Sequence, residues 1–283
     1  MNLKDTLNYY RQSLKDIYED QEIVATFYMV SAHIFQLGRA ALTLKMQDEV
    51  SDSNGDKYRA VLAELKTLKP LQYILGEAYF YGLKFKVNPA VLIPRPETEE
   101  LVEMVIHSLE KFNSPVTVFD IGTGSGCIAI SIKKNAANVS MSALDISEQA
   151  LAVATENARE NDVAIDFISA DIRSFQSDKR FDVIVSNPPY ITEAEQQLMD
   201  KNVTDFEPHL ALFVTDHHPL EFYEAIADFA GKALRENGLL FFEINANFGA
   251  ETARMLMEKH FAEVLILKDM QGKDRFISAK KKA

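Results

Sequence analysis

Apolar residues recur at steps of three and four along residues 1–69: Leu3, Leu7, Tyr10, Leu14 and Ile17, then Ile23, Phe27, Val30, Ile34 and Leu37, then Tyr58, Leu62 and Leu65. That spacing puts each set on one helical face. It predicts three amphipathic helices packed as a small bundle over residues 1–69, with the polar run Ser51–Asp56 as the break before the last helix. Pro70 ends the bundle. Leu83, Phe85 and Val87 then alternate as in a half-buried strand, which predicts a β-hairpin linker around Gly82 within residues 70–96.

From residue 97 to 283 strand-like and helix-like runs alternate. Strands are expected at Val116–Ile121, Val139–Ile146, Ile165–Ala170, Phe181–Ser186 and Leu239–Ile244, and near Val264–Leu267 and Arg275–Ala279. Helices are expected at Gly124–Lys134, Ser147–Glu160, Pro219–Glu236 and Ala250–Lys259. This alternation predicts an α/β domain, a mostly parallel sheet with helices on both faces. In such sheets the ligand sits beyond the C-terminal ends of the strands, where strand order reverses.

Composition narrows the function classes. The chain has 283 residues, 47% hydrophobic and 25% charged, so a packed core is expected rather than disorder. The formal net charge is −12; residues 1–69 hold nine basic and ten acidic side chains, so the acidity belongs to the larger part. A surplus of negative charge argues against direct nucleic-acid binding. No apolar run has bilayer-spanning length and Met1–Asp5 lacks the apolar stretch of a secretory signal, so no membrane partner and a cytoplasmic location are expected. The single cysteine, Cys127, excludes an internal disulfide.

The first α/β strand runs into Asp120-Ile121-Gly122-Thr123-Gly124-Ser125-Gly126-Cys127. Glycines at 122, 124 and 126 let the backbone turn sharply and approach a bound molecule. A dinucleotide fingerprint needs its third glycine at 127, where this chain has cysteine. The spacing, with Asp120 two residues ahead, instead resembles the methionine-binding loop of S-adenosylmethionine methyltransferases, because a sulfonium cofactor has an ammonium group and a positive sulfur rather than a pyrophosphate. Asp145 ends the second strand, where a carboxylate can accept from both ribose hydroxyls of an adenosine cofactor. Asp171 and Ile172, after the third strand, resemble the pair that flanks adenine. Cys127 is read as a small packing residue, and His217-His218 as no metal site, since adjacent side chains diverge and nothing completes a ligand spacing.

The fourth strand runs into Asn187-Pro188-Pro189-Tyr190. Two prolines fix φ and remove two N–H donors, so the stretch offers acceptors. The Asn187 side-chain oxygen and the Pro188 carbonyl can take both protons of one planar NH₂, and Tyr190 can stack on the group that carries it. Such a site suits methyl transfer to a conjugated nitrogen, where orientation and electrostatics supply the catalysis.

With this tetrapeptide the chain resembles the PrmC/HemK family of protein glutamine methyltransferases. The likeness extends to Gln72-Tyr73-Ile74-Leu75-Gly76, Val91–Glu99 with its Arg95-Pro96-Glu97-Thr98 core, Phe206-Glu207-Pro208, and Lys268–Arg275. The resemblance implies a class I, Rossmann-like methyltransferase domain with a seven-stranded sheet, one strand antiparallel. It also implies S-adenosyl-L-methionine as cofactor, class 1 peptide chain release factors as partners, and a helical N-terminal domain that grips them. Arg95 and Glu97 join the substrate-binding set on the same ground. Val214–Tyr223 departs from the family pattern, lacking its glycine-containing turn. Other readings are a ribosomal-protein glutamine methyltransferase, a DNA adenine-N6 methyltransferase and a non-catalytic cofactor-binding protein; the glycine spacing disfavours a dehydrogenase.

Overall fold

The computed structural model describes residues 1–112 and 115–282, which divide into two compact units. The first comprises Met1–Gly76 and Lys201–Phe206. Its helices are α1 (Leu3–Leu14), α2 (Asp20–Phe35), α3 (Arg39–Leu44), α4 (Asp52–Leu65) and α5 (Leu71–Leu75). Asn2 starts α1 through a capping box with Asp5, which satisfies two otherwise unpaired amides. The apolar stripe of α1, α2 and α4 meets around Phe27, whose ring stacks on Tyr58 and takes Tyr10 edge-on; the Tyr10 hydroxyl donates to the Tyr58 carbonyl at 2.8 Å. The bundle differs from the sequence-based expectation: it holds the short helices α3 and α5 besides the three expected, and it runs on to Gly76. Ser51 N-caps α4, so the polar run after it is the helix's first turn rather than a break. Ile17 lies beyond the end of α1 and is exposed.

The second unit, Glu77–Asp200 with Glu207–Ala283, opens on a hairpin, β1 (Glu77–Phe80) and β2 (Leu83–Lys86). Tyr81 and Gly82 turn it with φ of 49° and 72°, the paired positive values of a tight hairpin turn. There follow α6 (Pro96–Leu109), β3 (Val116–Ile121), α7 (Cys127–Asn135), β4 (Val139–Asp145), α8 (Glu148–Glu160), β5 (Asp166–Ser169) and β6 (Phe181–Ser186). Then come β7 (Ile191–Thr192), α9 (Glu193–Gln196), α10 (Lys201–Thr204, part of the helical unit), β8 (Phe213–Val214), α11 (Glu221–Ala233), β9 (Leu234–Glu243), α12 (Gly249–Glu258), β10 (Phe261–Lys268) and β11 (Asp274–Lys281).

Seven strands form one sheet in the order β10-β11-β9-β6-β3-β4-β5, with β11 antiparallel to both neighbours and the other pairings parallel, as the resemblance implied. Side chains alternate across β3: Val116 and Val118 pack with α6, α7 and the hairpin, while Phe119 and Ile121 pack with α11 and α12. The α/β class is therefore borne out. The helix α6 was missed, although Leu101, Val102, Val105 and Leu109 form its buried stripe. Among the described residues no helix is long and apolar enough to cross a membrane.

β3 lies between β4 and β6, so the chain leaves it in one direction and returns on its other side. Ile121 is level with both Leu144 and Ser186, and Ser186 with Phe242. The residues that follow these paired positions, Gly122, Asp145, Asn187 and Glu243, consequently lie side by side where strand order reverses.

A buried amide on α8 fastens this edge to the hairpin. Asn157 accepts from the Lys86 N–H at 2.6 Å and donates to the carbonyls of Lys86 (3.0 Å) and Ser125 (2.9 Å). Asn157→Leu would leave those backbone groups unpaired in the interior, so stability to urea should fall by about 2 to 4 kcal/mol. An unchanged midpoint would show that Asn157 holds nothing in place.

Candidate active site

The cleft at the switch point has a volume of about 330 Å³ and is walled by Gly122–Ser125, Cys127, Asp145, Asp171, Ile172 and Asn187–Pro189, with Arg95 and Thr98 from the segment entering α6. Small-molecule sites start at about this size. Gly122 and Gly124 have φ of 75° and 55°, and a Cβ on either would project into open space; both line the cleft, so the space a side chain would fill is the cleft's own. Gly126 differs. It caps α7 at φ 82°, and a Cβ there would lie 2.9 Å from Ile130 Cδ1 and 3.2 Å from Ala154 Cβ, so this glycine serves helix packing and is not at the cleft wall.

Asp120 is fully buried beneath the loop. Its Oδ2 accepts from the Thr123 hydroxyl at 2.6 Å, while Oδ1 has no hydrogen-bond partner among the described residues, nor does Ser125 Oγ. Burial pushes the Asp120 carboxyl up to about 7; the Thr123 bond opposes this and the neighbouring Asp145 charge adds to it. A buried carboxylate short of a partner fits a cationic ligand group.

Asp145 is already held by two amides, Gly124 N–H at 2.8 Å and Ser147 N–H at 2.9 Å. Its remaining lone pairs stay free to accept, and the two bonds fix the carboxylate relative to the glycine loop. Asp171 is engaged by the Arg173 guanidinium at 2.7 Å, which lowers its pKa. The apolar surroundings of the partly exposed Cys127 push its thiol up to about 12, away from the thiolate form. In the departing segment His218 pairs with Glu224 at 2.9 Å.

The Asn187 side chain reaches the cleft wall with its amide tethered. Nδ2 donates to Thr98 Oγ1 at 3.2 Å, Thr98 donates to Glu243 Oε2 at 2.7 Å, and Glu243 Oε1 accepts from the Tyr190 hydroxyl at 3.1 Å. Thr98 and Glu243 are buried. Burial raises the Glu243 pKa, against which the Thr98 and Tyr190 hydroxyls and the Arg275 charge act. Pro188 and Pro189 line the cleft, but Tyr190 does not. Its carbonyl is bound by Asn245 at 3.1 Å and its hydroxyl by Glu243, which ties the tetrapeptide to the end of β9.

Arg95 pairs with the buried Glu207 at 2.6 Å, and Glu207 also accepts from the Ile93 N–H at 3.1 Å. Glu97 lies away from the cleft wall, where it accepts from Gln271 at 3.4 Å. Sequence reasoning gave no role to Thr98, Glu207, Glu243 or Asn157. The one available signal for Glu243 was a carboxylate ending an otherwise apolar strand, Leu239–Ile244.

A strand-order switch with a glycine loop on one side and an acceptor-rich tetrapeptide on the other defines a class I methyltransferase. Residues 99–210 match the Methyltransferase small domain and residues 5–76 the PrmC N-terminal domain. The chain is 44% identical over 280 residues to the release factor glutamine methyltransferase of Flavobacterium psychrophilum, covering 98% of each protein. Over 276 residues it is 43% identical to that of Bacteroides thetaiotaomicron, covering 96% of this chain and 97% of the relative. A methyltransferase from Pyrococcus furiosus has the same fold at 16% identity, with a TM-score of 0.53 over 78% of this chain and 98% of the other. The protein belongs to the release factor glutamine methyltransferase family, as its motifs implied.

Asp120 supplies a pH signature. Its folded-state pKa of about 7 exceeds the 3.8 of a free carboxyl, so the folded protein binds the extra proton between these values and stability falls as pH rises through that window. Asp120→Asn should flatten that part of the urea-midpoint profile in cofactor-free protein. An unaltered slope would mean that Asp120 does not titrate there.

Proposed function

We propose that the protein transfers a methyl group from S-adenosyl-L-methionine to the side-chain amide nitrogen of the glutamine in the Gly-Gly-Gln motif of class 1 peptide chain release factors. The observation that carries this reading is that Asn187, Pro188 and Pro189 line the same cleft as the glycine loop. Asp120, Gly122, Thr123, Gly124 and Ser125 would hold the methionine end of the cofactor, Asp145 the ribose, and Asp171 with Ile172 the adenine. The cofactor, when bound, supplies an electrophilic methyl group.

The chain's own task is to present the nitrogen. Asn187 Oδ1 and the Pro188 carbonyl accept the two NH₂ protons, which fixes the nitrogen's lone-pair direction and stabilises the positive charge growing on it. No strong base is needed, because an amide nitrogen becomes very acidic as it is methylated. An exposed glutamine is chemically alike on any protein, so selection requires a second contact, and we assign it to the helical unit.

Asn187→Ala should lower kcat at least about a hundredfold, the scale of removing one preorganised hydrogen-bonding group, with cofactor Kd near that of the parent. A parallel loss of cofactor affinity would make Asn187 a cofactor residue instead. Offered radiolabelled cofactor with release factor, a glutamine-bearing ribosomal protein and duplex DNA, the enzyme should label release factor alone. Labelled DNA would overturn the substrate class.

A further inference from the structure

A planar side-chain amide has two ends of similar shape and opposite hydrogen-bonding sense, so Asn187 could face the cleft as an acceptor or as a donor. Only the acceptor orientation serves the reaction proposed above, on which the following rests. What selects it is written in the chain of bonds behind the residue.

Burial raises the Glu243 pKa, but the Thr98 and Tyr190 hydroxyls and the Arg275 charge favour its ionised form, which accepts and never donates. Both Glu243 oxygens are occupied by hydroxyl donors, Thr98 at 2.7 Å and Tyr190 at 3.1 Å. The single Thr98 proton is thereby committed to Glu243, and Thr98 Oγ1 has only lone pairs left to offer Asn187. The Asn187 end facing it must be Nδ2, as found at 3.2 Å. Rotating the amide by half a turn would set Oδ1 against those lone pairs and lose the bond, in a place where Thr98 is 2% and Glu243 2% exposed and no bulk water compensates. The opposite end, Oδ1, is then the one left to the cleft.

We infer that Thr98 and Glu243 are positioning residues that lock the Asn187 amide with its oxygen toward the acceptor nitrogen, so that the cleft favours an NH₂-bearing side chain over a carboxylate of the same shape. Neither need touch the substrate. Thr98 acts through Asn187, and Glu243 acts through Thr98. A glutamate in place of the substrate glutamine would bring oxygen lone pairs against Asn187 Oδ1 and the Pro188 carbonyl, and would be rejected for that reason.

The test compares Thr98→Val, which keeps the shape and removes the hydroxyl, with Thr98→Ser, which keeps the hydroxyl. Full-length enzyme, S-adenosylmethionine and release factor are used, reading kcat, KM, cofactor Kd by calorimetry, and inhibition by release factor carrying Gln→Glu in its Gly-Gly-Gln loop. Thr98→Val should lower kcat by about tenfold to a hundredfold, as expected for a misoriented catalytic group, with cofactor Kd within about twofold of the parent. It should also narrow the preference for glutamine over glutamate loops, and Thr98→Ser should restore both. Glu243→Gln provides a second route to the same pattern if Thr98→Val does not fold. Parent-like kcat in Thr98→Val, failure of Thr98→Ser to rescue, or an equal loss of cofactor affinity would overturn the relay while leaving the functional reading standing. A parent enzyme inactive on release factor would overturn both.

Discussion

The parallel pairing of β3 with β6 is the constraint on which the rest depends. Aligning Ile121 with Ser186 forces the glycine loop and the Asn187-Pro188-Pro189 turn to leave the sheet at one level, on adjacent strands. Because β4 and β5 lie to one side of β3 and β6 to the other, no helix can cross between the two loops, and a cleft opens there. The register of β4 adds Asp145 and that of β9 adds Glu243 at the same edge. A one-residue slip of β6 would invert every side chain along it and turn Val183 and Val185 away from the α6 and α7 layer. The buried faces of the sheet thus fix the positions of the polar groups at its end.

Those polar groups divide by what they leave unsatisfied. Asp145, Asp171, Thr98 and Glu243 are bound to the protein itself, which sets their geometry before any ligand arrives. Asp120 Oδ1 and Ser125 Oγ, buried without partners beneath and within the glycine loop, carry the desolvation cost of an incomplete site. A cleft whose polar groups are in part already bonded and in part unsatisfied is suited to take a cofactor against the loop and present it to a second molecule at Asn187.

Much of this was legible in the sequence because it depends on local spacing. Val116–Ile121 and Phe181–Ser186 were read with their observed bounds, since each is an apolar strand closed by residues that cannot continue it. Gly122, Gly124, Asp145 and Asn187 sit at strand ends, and the alternation of elements was enough to bring them together. The surroundings of Gly126 and Tyr190 were not legible: the Ile130 and Ala154 side chains that crowd the one, and the Glu243 carboxylate that binds the other, belong to tertiary packing. The relay through Thr98 was not legible at all, since it joins positions 145 residues apart. The helix α6 was readable from its apolar stripe but was obscured by the proline-rich motif that opens it.

The central claim is that this strand edge delivers one amide nitrogen to one methyl donor. Fragmentation mass spectrometry of release factor recovered after incubation with the enzyme and S-adenosylmethionine tests it most directly, because it locates the new methyl atom by atom. The account predicts a single added methyl on the side-chain amide nitrogen of the Gly-Gly-Gln glutamine. A methyl found on a carboxylate, on a backbone or ring nitrogen, or spread over several glutamines would contradict it.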